Sequence, residues 1–171
     1  MKINRPSRPL LLPREAEWEV SPIPTSTGFQ TRRCLIDPEE ITRRLTEARS
    51  ATLGTVDRAG RPHLVRIVFA YRDGRLYTAV DRKPKSTLRL KRLRNIEANP
   101  NVSVLLDRYD DDWTRLWWIR IDGGARVIDS GPAFQEGIAL LTRKYQPYST
   151  QPPPGPVIEV RVETIRAWSA T

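Results

Sequence analysis

Leu76-Tyr77-Thr78-Ala79-Val80-Asp81-Arg82-Lys83-Pro84-Lys85-Ser86-Thr87-Leu88-Arg89-Leu90-Lys91-Arg92-Leu93-Arg94-Asn95 is the stretch from which the rest of the chain reads. Its first five residues, Leu76–Val80, alternate bulky and small side chains and are rich in β-formers, so they read as a strand. Pro84 interrupts the pattern, and Ser86 or Thr87 offers an oxygen to the free N–H groups that open a helix. Leu90, Leu93 and Ile96 then recur at three-residue spacing and give that helix one apolar stripe. Lys91 and Arg94 project away from the stripe, while Arg89 flanks it in the first turn. A strand thus delivers the chain to a helix start surrounded by Arg82, Lys83, Lys85 and Arg89. Free N–H groups, the positive end of the helix dipole and several cations converge there, which predicts an anion site, a phosphate above all. Charge runs usually form a plain solvated face. The strand–loop–helix context favours the phosphate.

The chain has 171 residues, enough for one domain with a real core and no need of metals or disulfides. Its formal net charge of +9 favours anionic partners: phosphorylated cofactors, nucleic acid or an acidic membrane surface. The single cysteine, Cys34, excludes an internal disulfide framework and fits a reducing cytosol. No apolar run approaches the roughly 20 residues that span a bilayer. The N-terminus carries charge and proline without the apolar centre of a secretory signal. A cytoplasmic protein with no membrane segment is the expectation.

Residues 1–31 are rich in Pro, Arg and Ser and show neither period, so they read as a flexible arm ahead of a domain over 32–171. Asp37-Pro38-Glu39-Glu40 is a helix start, with Ile41, Leu45 and Ala48 on one face. Ala51–Val56 and His63–Tyr71 read as strands joined by a turn at Asp57-Arg58-Ala59-Gly60. A second turn at Asp73-Gly74 leads into Leu76–Val80 and completes a three-stranded meander. Asn99-Pro100 ends the basic helix, and Val102–Asp107 is the next strand. Leu116–Ile121 follows an acidic, aromatic loop, turns at Gly123-Gly124 and continues in Ala125–Ile128. Pro132–Tyr145 reads as a helix, then Val157–Val162 as a strand and Ile165–Trp168 as a short terminal piece. The result is a mainly β, α+β chain of about six strands linked by hairpin-length turns with helices inserted, which indicates an antiparallel barrel. A parallel nucleotide-binding sheet is disfavoured, because no Gly-x-Gly-x-x-Gly follows a strand.

Self-sufficient catalytic sets are nearly absent. His63 is the one histidine, so there is no His-based metal cluster and little scope for a triad. Asp110, Asp111 and Asp112 form a run of carboxylates that reads as turn and capping chemistry before it reads as a metal site. No residue is assigned to catalysis and none to a metal. An anion site without acid–base machinery is most simply explained by a phosphorylated redox cofactor that carries the hydride chemistry itself. Trp117 and Trp118 are aromatic walls for such a ring, or one packs inward and the other outward, since neighbours on a strand face opposite ways. Nucleic-acid binding is disfavoured: Arg82–Arg94 carries no interleaved aromatics on which bases could stack.

Ala51-Thr52-Leu53-Gly54-Thr55-Val56-Asp57, Gly60-Arg61-Pro62-His63-Leu64-Val65, Ile67-Val68-Phe69 and Leu76-Tyr77-Thr78-Ala79-Val80-Asp81 resemble the successive strands of the pyridoxamine 5'-phosphate oxidase-like split-barrel superfamily. Lys83-Pro84-Lys85-Ser86, Leu93-Arg94-Asn95-Ile96, Asn99-Pro100-Asn101-Val102, Asp110-Asp111-Asp112-Trp113 and Leu116-Trp117-Trp118 extend the resemblance. It covers about residues 35–168 and is nearest to the branch of deazaflavin (coenzyme F420)-dependent oxidoreductases. The resemblance implies a six-stranded antiparallel split β-barrel of the FMN-binding type. It also implies a homodimer with cofactor sites at the interface, and F420, or alternatively FMN, as cofactor. It places the phosphate on Lys83, Lys85 and Ser86, with Arg89 as helper. His63, Val65, Ile67 and Val68, with Thr78, Ala79 and Val80, would line the ring and ribityl chain. Trp117 or Trp118 would approach the site, the partner subunit being one source. Two departures are visible: Arg66 replaces a common proline, and the chain ends without the Arg- and His-bearing segment that holds pyridoxamine phosphate. Vitamin B6 oxidation is therefore disfavoured. The expected activity is hydride transfer to a small unsaturated or quinone-like substrate. The alternatives are an FMN oxidoreductase on the same site or a non-catalytic flavin, deazaflavin or haem carrier.

Overall fold

Asp37 accepts the Glu39 N–H at 2.8 Å, and Pro38 follows it at the first helical position, so α1 (Pro38–Glu47) begins as its residue types demand. The computed structural model describes residues 36–81 and 90–170, and the sequence readings for the arm and for Cys34 lie outside them. The expected start of the basic helix at Ser86 or Thr87 is corrected: Leu90 is still extended (φ −63°, ψ 134°), and the helix that carries Leu93 and Ile96 begins only at Lys91. After α1 come β1 (Ala51–Val56), β2 (Pro62–Ile67), β3 (Ala70–Arg72), β4 (Arg75–Ala79), α2 (Lys91–Ala98) and β5 (Asn101–Arg108). A 3-10 turn at Trp113–Arg115 leads to β6 (Trp117–Ile128), α3 (Pro132–Lys144), α4 (Gln146–Thr150) and β7 (Val157–Ser169). No described helix is long and apolar enough to cross a membrane.

The seven strands form one antiparallel sheet in the order β2-β1-β5-β6-β7-β4-β3. This corrects the expected six strands and the expected meander. His63–Tyr71 is not one strand: it breaks at Val68-Phe69 into β2 and β3, which stand at opposite edges of the sheet. Two intervening residues can bridge only about 10 Å. The edges must therefore approach one another, and the sheet curls into a half-barrel.

Two further differences share one cause. Gly123-Gly124 is no turn, and Ile165–Trp168 is no separate piece. Instead β6 and β7 run 12 and 13 residues and pair along nearly their whole length, with a bulge at Asp122/Gly123. A Cβ on Gly123 would lie 2.1 Å from the Arg161 carbonyl oxygen, so glycine there allows close backbone approach and not reversal.

Inside the curl, Leu53, Val104, Leu106, Ile119, Ile121 and Val160 alternate inward and pack with Leu45 of α1 and Ile96 of α2. Each such buried aliphatic contributes about 1.5–3 kcal/mol. A second apolar cluster under α3 joins Tyr77, Ala79, Val157, Leu141 and Tyr145. The Tyr145 hydroxyl accepts the Phe69 N–H at 3.1 Å and stands 2.8 and 2.9 Å from the carbonyl oxygens of Phe69 and Arg49, so α3 latches the crossover between the two sheet edges. On β7 the buried Glu159 accepts from Arg75 at 3.0 Å and Tyr77 at 3.2 Å and pairs with Arg126. Burial pushes its carboxyl up, but the Arg126 contact, with Tyr77 and Arg75, outweighs burial and holds it below the usual range. The same cluster pushes the Tyr77 phenol up to about 12, first through burial and then through Glu159 and Glu136.

Candidate functional site

The β1–β2 turn is shaped by Asp57, whose Oδ1 accepts from the N–H groups of Ala59 and Arg61, both at 3.0 Å. Gly60 completes it with a φ of 77°, where a side chain would be strained. The other carboxylate oxygen of Asp57 faces the Arg61 guanidinium at 3.2 Å and the Lys91 ammonium at 3.4 Å. Main-chain donors of Arg61 and Ala59, then Lys91, hold this carboxyl down at about 2. Across from the turn, α2 is fastened to the sheet by Asn95: its buried Nδ2 donates to Thr55 Oγ1 at 3.0 Å, and that hydroxyl donates to the His63 carbonyl at 3.4 Å.

Between turn and helix lies a cleft of about 760 Å³ lined by Arg58, Arg61, Lys91 and Arg94, against the carboxylates Asp57 and Glu97. Leu90, at the start of α2, lines it too and supplies no side-chain cap, so the first-turn N–H groups have no side-chain acceptor from the cap position. Arg92 lies on the same helical face as Ile96 and is partly buried. Burial pulls its pKa down, and the negative charge of Asp81, where the chain leaves β4, opposes that. Asp81 also acts on Tyr148 of α4, whose hydroxyl is pushed up by burial first and by Asp81 second. The charge of Asp81 thus acts on both Arg92 and Tyr148, and the chain re-enters the described structure at Leu90, in the lining of this cleft.

Lys83, Lys85, Ser86 and Arg89 fall between Asp81 and Leu90 and lie outside the described residues. His63 is half-buried on β2 opposite Thr55, at the α2 end of the strand. Val65 and Ile67 point the same way and pack into the core, so Leu64 and Arg66 are the β2 side chains that face outward. Arg66 reaches the hydroxyls of Thr52 and Ser50. Thr78 and Ala79 are buried in β4, Val68 packs on the α3 cluster, and the Val80 N–H donates to the Pro156 carbonyl at 2.9 Å. Trp117 is elsewhere: it pairs with Arg108, while Thr55, one residue past the Gly54–Ser103 pair, stands level with Val102. Six residues of β5 separate those levels, about 20 Å of strand. Trp117 packs against the core and Trp118 faces outward, as strand alternation requires. Within one chain, then, His63 and the α2 cleft come together and Trp117 stands apart. The turn cations Arg58 and Arg61 and the partly buried Arg92 were missed in the sequence, although the spacing of Arg92 from Ile96 signals its inward face.

The acidic loop has local duties. Asp112 accepts from the Thr114 N–H at 3.1 Å and starts the 3-10 turn, while Asp110 faces Arg108 at 2.8 Å and Arg115 at 3.6 Å. Both carboxyls are held low, that of Asp110 mainly by Arg108 and that of Asp112 mainly by Thr114.

The family model of pyridoxamine 5'-phosphate oxidase matches residues 37–169. The chain belongs to that family. Solved structures of the same fold include a conserved hypothetical protein from Mycobacterium tuberculosis, 21% identical, with a TM-score of 0.62 over 84% of this chain and 91% of the other. The haem storage protein HutZ from Vibrio cholerae is 17% identical, with a TM-score of 0.60 over 77% of this chain and 93% of its own. An FAD-binding protein from Mesorhizobium loti is 21% identical, with a TM-score of 0.59 over 80% and 96%. At these identities the likeness is one of fold. No curated protein sequence matches the chain. The pyridoxamine 5'-phosphate oxidase family thus supplies the barrel, and flavin-type and haem ligands occur among proteins that share it.

Proposed function

We propose that this protein is an oxidoreductase that binds the phosphorylated deazaflavin F420 beside α2 and passes hydride to a small unsaturated or quinone-like acceptor. The observation that carries the reading is the cleft between the β1–β2 turn and α2. Four cations stand there against two carboxylates, where the chain runs from β4 into a helix without a side-chain cap. Lys83, Lys85 and Ser86, with Arg89, would hold the cofactor's phosphate there; Arg58, Arg61 and Arg94 add to the positive field, and Asn95 keeps α2 in place. When bound, the reduced deazaflavin supplies a hydride, two electrons with one hydrogen nucleus, and a solvent proton completes the reduction of the acceptor. The chain's own part is to bind, orient and exclude water.

The same proposal includes a homodimer. The outward sheet face carries Leu64, Leu105, Trp118 and Trp168, with Leu64 68% exposed, an apolar surface suited to a second copy. Trp117, remote from the cleft of its own chain, would then approach the partner's site.

A second reading is FMN on the same phosphate contacts, or a carrier of flavin or haem without turnover. It is favoured by the FAD-binding and haem-storage proteins that share the fold. Titration of the purified protein with F420, FMN and haem, followed by fluorescence or absorbance, separates the readings. Saturable F420 binding that Lys85→Ala abolishes is the expected outcome, and turnover of a quinone panel with reduced F420 distinguishes enzyme from carrier. Flavin or haem binding without F420 affinity would overturn the first reading.

A further inference from the structure

At the opposite end of the barrel from the α2 cleft, a second cleft of about 470 Å³ is lined by Arg43, Arg44, Arg49, Arg108 and Arg115 around Trp117. These guanidiniums come from α1, the link after it, the end of β5 and the 3-10 turn, so no sequence motif announces them. Three carboxylates neutralise part of the group. Glu40 faces Arg43 at 2.7 Å and Arg44 at 2.6 Å, Glu47 faces Arg43 at 2.6 Å, and Asp110 faces Arg108 and Arg115. Among the described residues, five cations against three anions leave two positive charges in excess. Arg49 donates instead to the Lys144 carbonyl at 2.8 Å and stacks 4.5 Å over the Tyr145 ring.

Arg44 is the deepest of the five. Its guanidinium lies 4.8 Å over the Trp117 ring, and its Nη2 stands 3.4 Å from Ser169 Oγ. Its Nη1 is buried and finds no acceptor among the described residues. A buried charged donor without an acceptor is costly, and an oxyanion that reached it would relieve that cost. Fork-shaped guanidiniums match carboxylate and phosphate oxygens, and a cleft of this volume suits a small molecule.

We propose that this cleft is a second anion site, for a small dianion bearing a phosphate monoester or two carboxylates. Within one chain it lies about 20 Å from the cofactor cleft by the register of β5, on the Trp117 side that the proposed homodimer would turn toward the partner's site. Arg44 is its floor, and Arg108 and Arg115 are its rim.

The test is calorimetric titration of the full chain carrying Lys83→Ala and Lys85→Ala, with phenyl phosphate and succinate as separate probes. One saturable site for at least one probe is expected, and the preference between them names the source of the charge. Adding Arg115→Gln should weaken binding about tenfold, the value of one charge-assisted hydrogen bond, and Arg44→Gln should weaken it further. Arg115 is half-exposed and, among the described residues, pairs only with Asp110 in the ion-pair network, so its variant tests the site even where Arg44→Gln fails to fold. No saturable binding of either probe, or affinity unchanged in Arg115→Gln, would overturn the proposal.

Discussion

Two groups of guanidiniums in this molecule are arranged by opposite rules. Under α3, Arg75 and Arg126 converge on one carboxylate, Glu159, which is 3% exposed and receives the Tyr77 hydroxyl as well. At the α1 end, five arginines surround a cleft with too few acids among the described residues to answer them, and a buried donor is left over. In the first group the buried charge is the anion and the cations reach it from solvent, so the arrangement is complete without a ligand. In the second the cations themselves are partly buried and outnumber their partners. The difference teaches where to look for binding: in the group whose local charge does not close.

The sharpest way to break the comparison is to remove both cations from Glu159. Arg75→Ala with Arg126→Ala strands a buried carboxylate with one phenol, and unfolding free energy by urea denaturation at neutral pH should fall by about 3 kcal/mol. Because the folded pKa of Glu159 is depressed, its contribution is present above the unfolded carboxylate range and is lost as pH falls below it. The gap between variant and parent should therefore narrow in acid. A gap that persists there would mean that the arginines act through packing.

Lys144 provides a smaller, intermediate case. Its ammonium lies 4.2 Å over the Phe69 ring and 3.4 Å from the Leu45 carbonyl, and burial, with Arg49 nearby, pulls its pKa down to about 8. A lysine with a depressed folded pKa binds fewer protons than its unfolded counterpart above that value. Stability should therefore rise from about pH 8 toward the ordinary lysine range near 10.4, until the raised tyrosines oppose it. Lys144→Met should flatten that rise in thermal unfolding followed across pH. The smallest effect belongs to the rim of the arginine cleft. Arg115→Gln should change unfolding free energy by less than about 0.5 kcal/mol while weakening anion binding. A large loss of stability would place it with the Glu159 group instead.

Much of the scaffold was legible because local chemistry agreed with the final packing. Asp37-Pro38 specified the start of α1, and Asp57–Gly60 and Asp73-Gly74 specified the turns that the structure contains. What escaped was set by partners far away in the chain. Nothing in Val68-Phe69 marks a break, because those residues leave the strand only to carry the chain between two sheet edges. Gly123-Gly124 looked like a turn because close approach to Arg161 is invisible without β7. At the candidate site, the apolar stripe of α2 could be read from spacing, whereas His63 was named only through the family resemblance. Arg58 and Arg61 join the same cleft only once the β1–β2 turn folds over α2, and Arg44, Arg108 and Arg115 meet only through the barrel's curvature.

The latch between Tyr145 and Phe69 spans 76 positions of chain. While the protein is being synthesised, its early hairpins are made long before the residue that fastens them arrives. Until α3 and then β7 emerge, β4 lacks its only neighbour besides β3, and the apolar inner surfaces of the strands stay uncovered. Nascent chains stalled before α3 should thus be the species that chaperones and proteases meet, and a change at Tyr145 would lengthen that exposure without altering a single residue of the clefts.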